Sequence, residues 1–412
     1  MTALQTPTLP QRIESIDVLR GFALFGIALV HMVEQYYAGP LPDAIGNAMN
    51  PTIADHIAQG FVGFFIMGKF YMIFSFLFGL SFFIQLSKND GGNSFLIRFA
   101  WRLMILFAIG IVHHLHYRGD ILSIFALLGF GLLVAYRLPD KVLLITALLL
   151  VFNVPSLIVR VTGLFIEGDG NPFNFTQEGL MAYYNTVRSG SYLEILRANF
   201  NSFDDKMDFQ VSSGRLYITL GLFLLGNYAG RKNLFGDLEK HLPFLKKLIR
   251  YSLFVMSGCI VFTVALFGSF MLLKVEVTQE IGWLAGGLAF DVFNTALAAI
   301  YVSCLLLLFQ KEKWQKRLII FYPVGRMGLT TYLMQTLFGT MIFFNFGLGL
   351  IYQLGSFFCL LIGFAVFVFQ IVFAQWWFRY FSQGPVEWLW RTLTYFRLQK
   401  ITLPKEAVLR TN

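Results

Sequence analysis

The chain has 412 residues, of which 57% are hydrophobic and only 13% charged. A soluble domain carries about 25% charged residues, so this composition excludes a soluble enzyme and describes a polytopic membrane protein. The formal charge of +9 does not point to nucleic acid, because the lysines and arginines fall in alternate loops between apolar runs, which is a membrane-orientation signal.

About ten apolar runs are each long enough for a ~30 Å hydrocarbon core. They lie near 17–37, 58–86, 95–116, 119–136, 141–161, 214–230, 249–273, 283–309, 321–344 and 351–378. The expected fold is an all-α membrane bundle of about ten transmembrane helices. The first run, SIDVLRGFALFGIALVHMVE, carries Asp17, Arg20, His31 and Glu34. At helical spacing these four share one arc of about 100°, while the rest of the helix is apolar. Ionisable groups facing lipid are costly, so the stripe is expected to face the protein interior or a water-filled cavity. The plainer reading makes Asp17 and Arg20 an inner cap, with His31 and Glu34 reaching the outer headgroups.

The second run has Lys69 in its middle. In the third, Arg98, Arg102, His113 and His116 share a face and His114 points elsewhere. The two arginines either anchor the helix or hold phosphates. The histidines of HHLHYRGD share no common face, and no metal site is expected. Asp120 opens the fourth run, either as a helix cap or as a partner of a histidine. Pro155 is expected to bend the fifth. Asp291 sits in the eighth, followed by Asn294 and Thr295. A buried charge needs a partner, so Lys69 and Asp291 are expected to pair. Arg326 opens the ninth in PVGRMGLTTYLMQ, as an anchor or a phosphate contact.

Four further features complete this reading. Loops 87–99, 137–141, 231–250 and 310–317 and the tail are basic, whereas 38–56 and 345–350 hold no lysine or arginine. This asymmetry predicts both termini in the cytoplasm. Segment 162–213, richer in acids than bases, is expected outside with some amphipathic helix. It separates region 1–161, with spans one to five, from region 214–378, with spans six to ten. Residues 379–412 form a cytoplasmic tail. Cys259, Cys304 and Cys359 lie far apart in apolar runs and read as small buried hydrophobes. GxxxxGK[ST], HExxH and CxxC are absent from the sequence, which excludes a P-loop, a zincin helix and a dithiol redox motif. No internal repeat marks an inverted-repeat transporter.

SIDVLRGFALFGI, GKFYMIFSFLFGLSFF, GDILSIFALLGF, GRMGLTTYLMQTLFGTMIFFNFGLGL and GPVEWLWRTLTY together resemble the YeiB-like bacterial membrane proteins, over about residues 13–397. The first block also resembles the opening span of the acyltransferase-three proteins and of the heparan-alpha-glucosaminide N-acetyltransferase type. This resemblance implies membership of a transmembrane acyltransferase superfamily. Such proteins move an acyl group from a cytoplasmic donor to an acceptor at or beyond the outer face. Asp17, Arg20 and Gly21 match the superfamily's opening motif, and His31 matches the acyltransferase-three catalytic base. Many YeiB-like relatives have Asn there. The paired arginines of acyltransferase-three proteins have two residues between them, whereas Arg98 and Arg102 have three.

The expected function is therefore a membrane acyltransferase of the bacterial cytoplasmic (inner) membrane. His31 is its general base, oriented by Glu34 or Asp120, with His116 or Tyr117 assisting. Arg20, Arg98, Arg102 and Arg326 hold the phosphates of an acyl-coenzyme A donor. Membrane lipids and a small-molecule or glycan acceptor are the partners, with no tightly bound cofactor. The competing reading is a transporter or a lipid- or solute-binding protein with the same polar interior and no catalysis. A structural subunit is a third, opposed by the intramembrane ionisable residues.

Overall fold

The computed structural model describes residues 13–88, 92–163, 176–273 and 279–403. Among these the chain is helical, and its one isolated bridge joins Phe381 to Thr402. The N-terminal half comprises α1 (Glu14–Val33), α2 (Asp43–Gly46), α3 (Ile53–Phe61), α4 (Phe70–Ser87), α5 (Asn93–His116), α6 (Leu122–Ala135), α7 (Asp140–Val151) and α8 (Val154–Gly163). Three short helices follow: α9 (Gln177–Ser189), α10 (Tyr192–Asn201) and α11 (Phe203–Ser212). Then come α12 (Arg215–Arg231), α13 (Leu238–Leu273), α14 (Gln279–Phe309), α15 (Glu312–Leu318), α16 (Tyr322–Arg326), α17 (Gly328–Phe343), α18 (Ser356–Tyr380) and α19 (Pro385–Tyr395).

Helix α1 is the centre of the bundle. Glu14 and Asp17 sit in its first turn, where the positive end of the helix dipole favours them. It ends where Gln35, Tyr36 and Ala38 take left-handed backbone angles, φ 51°, 56° and 52°. Such angles cost free energy for residues with a Cβ, and here the fully buried rings of Tyr36 and Tyr37 hold them in place. α1 packs against α4, α16, α17 and α18. Its contact with α16 is backbone to backbone. A Cβ on Gly325 would lie 1.8 Å from the Asp17 carbonyl oxygen, and one on Gly21 would lie 2.1 Å from that of Phe321. Small residues allow this approach where lipid gives no hydrophobic drive between helices. The polar stripe of α1 therefore faces protein, and Asp17 is only 3% exposed.

Each of the ten expected runs is helical, but their lengths differ. Among the described residues six helical stretches, one of them α3 continued into α4, are long and apolar enough to cross a membrane, and the bent pair α7–α8 taken as one span makes a seventh. This is a multi-pass membrane protein. The 49° bend falls between Val151 and Val154, with Asn153 at φ 56°, just before Pro155. Proline disfavours helix in the residue before it and breaks the hydrogen-bond ladder. The remaining runs form α6, α12 and α17, of 14, 17 and 16 residues. At 1.5 Å per residue they reach about 21–26 Å, short of a full hydrocarbon core. Their neighbours bury them instead: α12 packs on α4 and α7, and α6 on α5. By contrast, none of the apolar window of α13 is buried, and Phe254, Val261, Phe262 and Leu272 point outward. That surface suits acyl chains and pairs with the bundle through α14.

Candidate functional site

At the end of the bundle carrying the basic loops, a cleft of about 560 Å³ opens between α4, α5, α16 and α19. Lys88, Arg98, Arg102, Arg326, Arg391 and Lys400 line it. Arg102 lies 4.5 Å from the Trp390 ring and Arg98 5.4 Å from that of Tyr395. Neither has a carboxylate partner among the described residues, and the Arg102 Nε has no acceptor there. Arg326 donates to the Ser382 carbonyl at 3.0 Å and lies 4.0 Å from the Phe378 ring. The one acid in the lining among the described residues, Glu387, is already engaged by the Leu329 and Thr330 amides, at 2.7 and 3.1 Å, and by the Thr330 hydroxyl. Among the described residues the cleft is lined by six cationic side chains and one acid, an excess of positive charge that suits a polyanion. A second cleft of about 650 Å³ shares Lys88 and Arg391 with it and reaches Arg20.

From the cleft a slot of about 210 Å³ runs inward. Arg20, Arg102 and Arg326 stand at its mouth, Phe74, Phe78, Leu106 and Phe125 along it, and Tyr332 also lines it. Arg20 is set by Asp17, by the Ser81 hydroxyl at 3.1 Å and by the Gly325 carbonyl at 3.3 Å.

Beside Tyr332 lies a buried polar centre. The ring of His113 is 5.0 Å from Tyr332 and that of His31 is 6.3 Å away. His113 Nδ1 is 2.7 Å from Asp120 Oδ1, and its Nε2 is 2.8 Å from Thr336 Oγ1. An ionised carboxylate only accepts, so Nδ1 carries the proton and the Thr336 hydroxyl donates to Nε2. Asp120 also accepts from the Leu122 and Ser123 amides, at 2.9 and 3.0 Å, and from the Ser123 hydroxyl. Lys206 of α11 places its Nζ 3.5 Å from Asp120 Oδ2. Burial lowers the Lys206 ammonium below the ordinary lysine range, while Asp120 pulls it the other way. His31 stands edge-on to Tyr36 and Tyr117, each 5.4 Å between centroids. Its Nδ1 is buried with no hydrogen-bond partner among the described residues.

A family model described as "Protein of unknown function (DUF418)" matches residues 229–397. Over 97% of its length the chain is 32% identical to the uncharacterized protein YxaH of Bacillus subtilis (strain 168), covering 98% of that protein. The chain belongs to the YeiB-like family. It is also 26% identical to the uncharacterized protein YeiB of Escherichia coli (strain K12), over 93% of this chain and 96% of that one. A 39.9 kDa protein from the amylase 3' region of Bacillus acidopullulyticus is 27% identical over 97% of this chain and 98% of its own. No solved structure matches.

In this YeiB-like chain the four arginines singled out by sequence converge. Arg98, Arg102 and Arg326 share the cleft, and Arg20, Arg102 and Arg326 share the slot. The histidines divide differently from expectation. Asp120 binds His113, not His31. His116 turns outward, with Nδ1 donating to the Val112 carbonyl at 2.9 Å and Nε2 accepting from Tyr192 at 2.8 Å. His114 faces Lys206. Glu34 occupies the C-cap of α1.

Lys69 and Asp291 have separate partners. Lys69 is fully buried, with Nζ 2.9 Å from the Gly63 carbonyl and over the rings of Phe290 and Phe293. Asp291 accepts from Asn153 at 3.0 Å. The π-helical turn Val62–Ile66 and the break before α4 free the carbonyl that Lys69 takes, which a regular helix would have used itself. Sequence reading also passed over Arg215. It is the first residue of α12, and its guanidinium lies 4.7 Å from the Tyr71 ring and 5.5 Å from that of Phe209. A cation at a helix N-terminus opposes the dipole, and that is the signal that was available. Thr336 gave none, because a threonine inside an apolar helix is unremarkable.

Proposed function

We propose that this protein is a membrane acyltransferase that takes its acyl group from a coenzyme A thioester at the cytoplasmic side and gives it to a hydroxyl or amine of an envelope acceptor. The observation carrying this reading is the continuity of the basic cleft with an apolar slot lined by Tyr332, which adjoins His31 and His113. The cleft suits the donor's phosphates and the slot its uncharged arm. His31 lies 11 residues beyond Arg20, about 16 Å along α1, which is of the order of a pantetheine arm. His31 has an open ring nitrogen and takes the acceptor's proton. The lysines and arginines gathered in the loops at that end favour a cytoplasmic position for the cleft.

A transporter would use a polar path open in turn to both sides. The aromatic cluster around His31 instead suits a closed reaction centre. The test is equilibrium binding of coenzyme A to the full chain in nanodiscs. Binding should weaken with salt, and Arg102→Gln should weaken it at least tenfold, since a charge-assisted contact is worth about 1.5–3 kcal/mol. Binding that is absent, or indifferent to Arg102, removes the donor site.

A further inference from the structure

We propose that the acyl group passes through a covalent ester on Thr336, formed by an Asp120–His113–Thr336 triad; this rests on the acyltransferase reading above. The three side chains form one hydrogen-bonded line, carboxylate to Nδ1 at 2.7 Å and Nε2 to hydroxyl at 2.8 Å. That is the nucleophile, base and orienting acid of acyl transfer, recognised by roles and geometry. All three are buried, at 3%, 5% and 1% exposure for Thr336, His113 and Asp120.

The Thr336 hydroxyl also behaves unlike a threonine at rest in a helix. Thr340, one turn on, satisfies itself by donating to the Thr336 carbonyl at 2.8 Å. Thr336 instead turns to a histidine on another helix. Tyr332, which lines the slot, precedes Thr336 by four residues on the same face of α17, about 6 Å away along the axis. A thioester brought down the slot therefore arrives one turn from the nucleophile once the Tyr332 ring turns aside. Helix packing alone does not call for a carboxylate, an imidazole and a hydroxyl in one buried line, and ionisable groups inside membrane bundles mark function.

In the first step the Thr336 oxygen attacks the thioester carbon. The new O–C bond replaces the C–S bond, the hydroxyl proton moves to His113 Nε2, and His113 passes it to the departing sulfur, releasing coenzyme A as the thiol. Asp120 is a positioning residue that holds the imidazole and balances its transient charge. In the second step the acceptor hydroxyl attacks the Thr336 ester, its proton moves to His31, and His31 returns it to the leaving Thr336 oxygen. Two histidines at one centre thus serve two half-reactions, donor side and acceptor side.

The experiment incubates the full chain in nanodiscs with [14C]acetyl-coenzyme A and measures thiol release and label on the peptide containing Thr336. A threonine ester survives neutral hydroxylamine, whereas an acylimidazole or a thioester does not. Wild type should release thiol and His31→Gln should accumulate hydroxylamine-resistant label at Thr336. Thr336→Val, which keeps the shape of the side chain, and His113→Gln should lose the label and at least a hundredfold in release rate. Thr336→Ser should restore both. Asp120→Asn should shift the pH profile of release, a change that a packing role would not produce. Release unchanged in Thr336→Val, or label found on another residue, overturns the triad and leaves the acyltransferase standing. No release and no label in wild type removes both.

Discussion

His31 and His113 differ in what their second nitrogen can do. His113 has both nitrogens occupied, by Asp120 and Thr336, whereas the Nδ1 of His31 is open. His31→Gln keeps size and hydrogen bonding but cannot take a proton at neutral pH. It should leave yield and thermal stability near wild type and lower acyl transfer by roughly a hundredfold; unchanged transfer would remove the base, and lost folding would make His31 structural. Lys69 and Asp291 supply a second residue-scale prediction. With separate partners, their alanine substitutions should be nearly additive, within about 0.5 kcal/mol. A double-mutant cycle showing recovery in Lys69→Ala with Asp291→Ala would mean that the two charges pair after all. The stripe on α1 and the convergent arginines were legible because helical spacing places them. The partners of His113 and Lys206 were not, because the contacts to Thr336 and Ser123 span 223 and 83 residues. A pairing at that separation is settled by packing and not by local pattern.

The elements explain why ten apolar runs do not become ten equal helices. A window of 20 residues tests for a bilayer crossing, and α6, with 14 residues, satisfies part of such a run while the Arg118–Gly119 turn before it, closed by the Asp120 amide donating to the Tyr117 carbonyl at 3.1 Å, places Asp120. α19 was legible only as the block GPVEWLWRTLTY near the tail, and its role comes from packing. It roofs the cleft, with Trp390 donating to the Arg102 carbonyl at 3.0 Å and Trp101 donating to that of Leu393 at 3.1 Å. Its Glu387 caps the first turn of α17. Glu387→Ala should cost about 1–2 kcal/mol, as losing a helix cap does, and loosen the cleft; an unchanged melting temperature would contradict this. Burial pushes the Glu387 carboxyl above its ordinary value of 4.5, against the pull of its donors Thr330 and Leu329. A raised carboxyl binds its proton more tightly in the folded chain than in the unfolded one. Its contribution to stability is therefore complete below about 4.5 and is lost as pH rises through the raised value. Melting curves of Glu387→Gln should lack this slope. The same slope in that variant would assign it to another group.

At the scale of the whole molecule, a basic cleft lies at one end and a buried polar centre beyond it. Reporter fusions after Lys247 and at the C-terminus should be active only in the cytoplasm, because the basic loops gather on that side. A periplasmic signal at either place would turn the cleft outward and remove the donor from reach. The membrane class and the family were legible from composition and from blocks spread along the whole chain, since both are properties of many residues at once. The number of full crossings was not, because apolar length alone cannot separate a helix in lipid from one buried among helices. The central claim, that the chain acylates an envelope component, is tested most directly by untargeted lipid and glycan profiling of a deletion strain carrying either the wild-type or the His31→Gln protein. The account predicts one acylated species that disappears on deletion, returns with wild type and stays absent with His31→Gln. No change in any acylated species, or full recovery with His31→Gln, would contradict it.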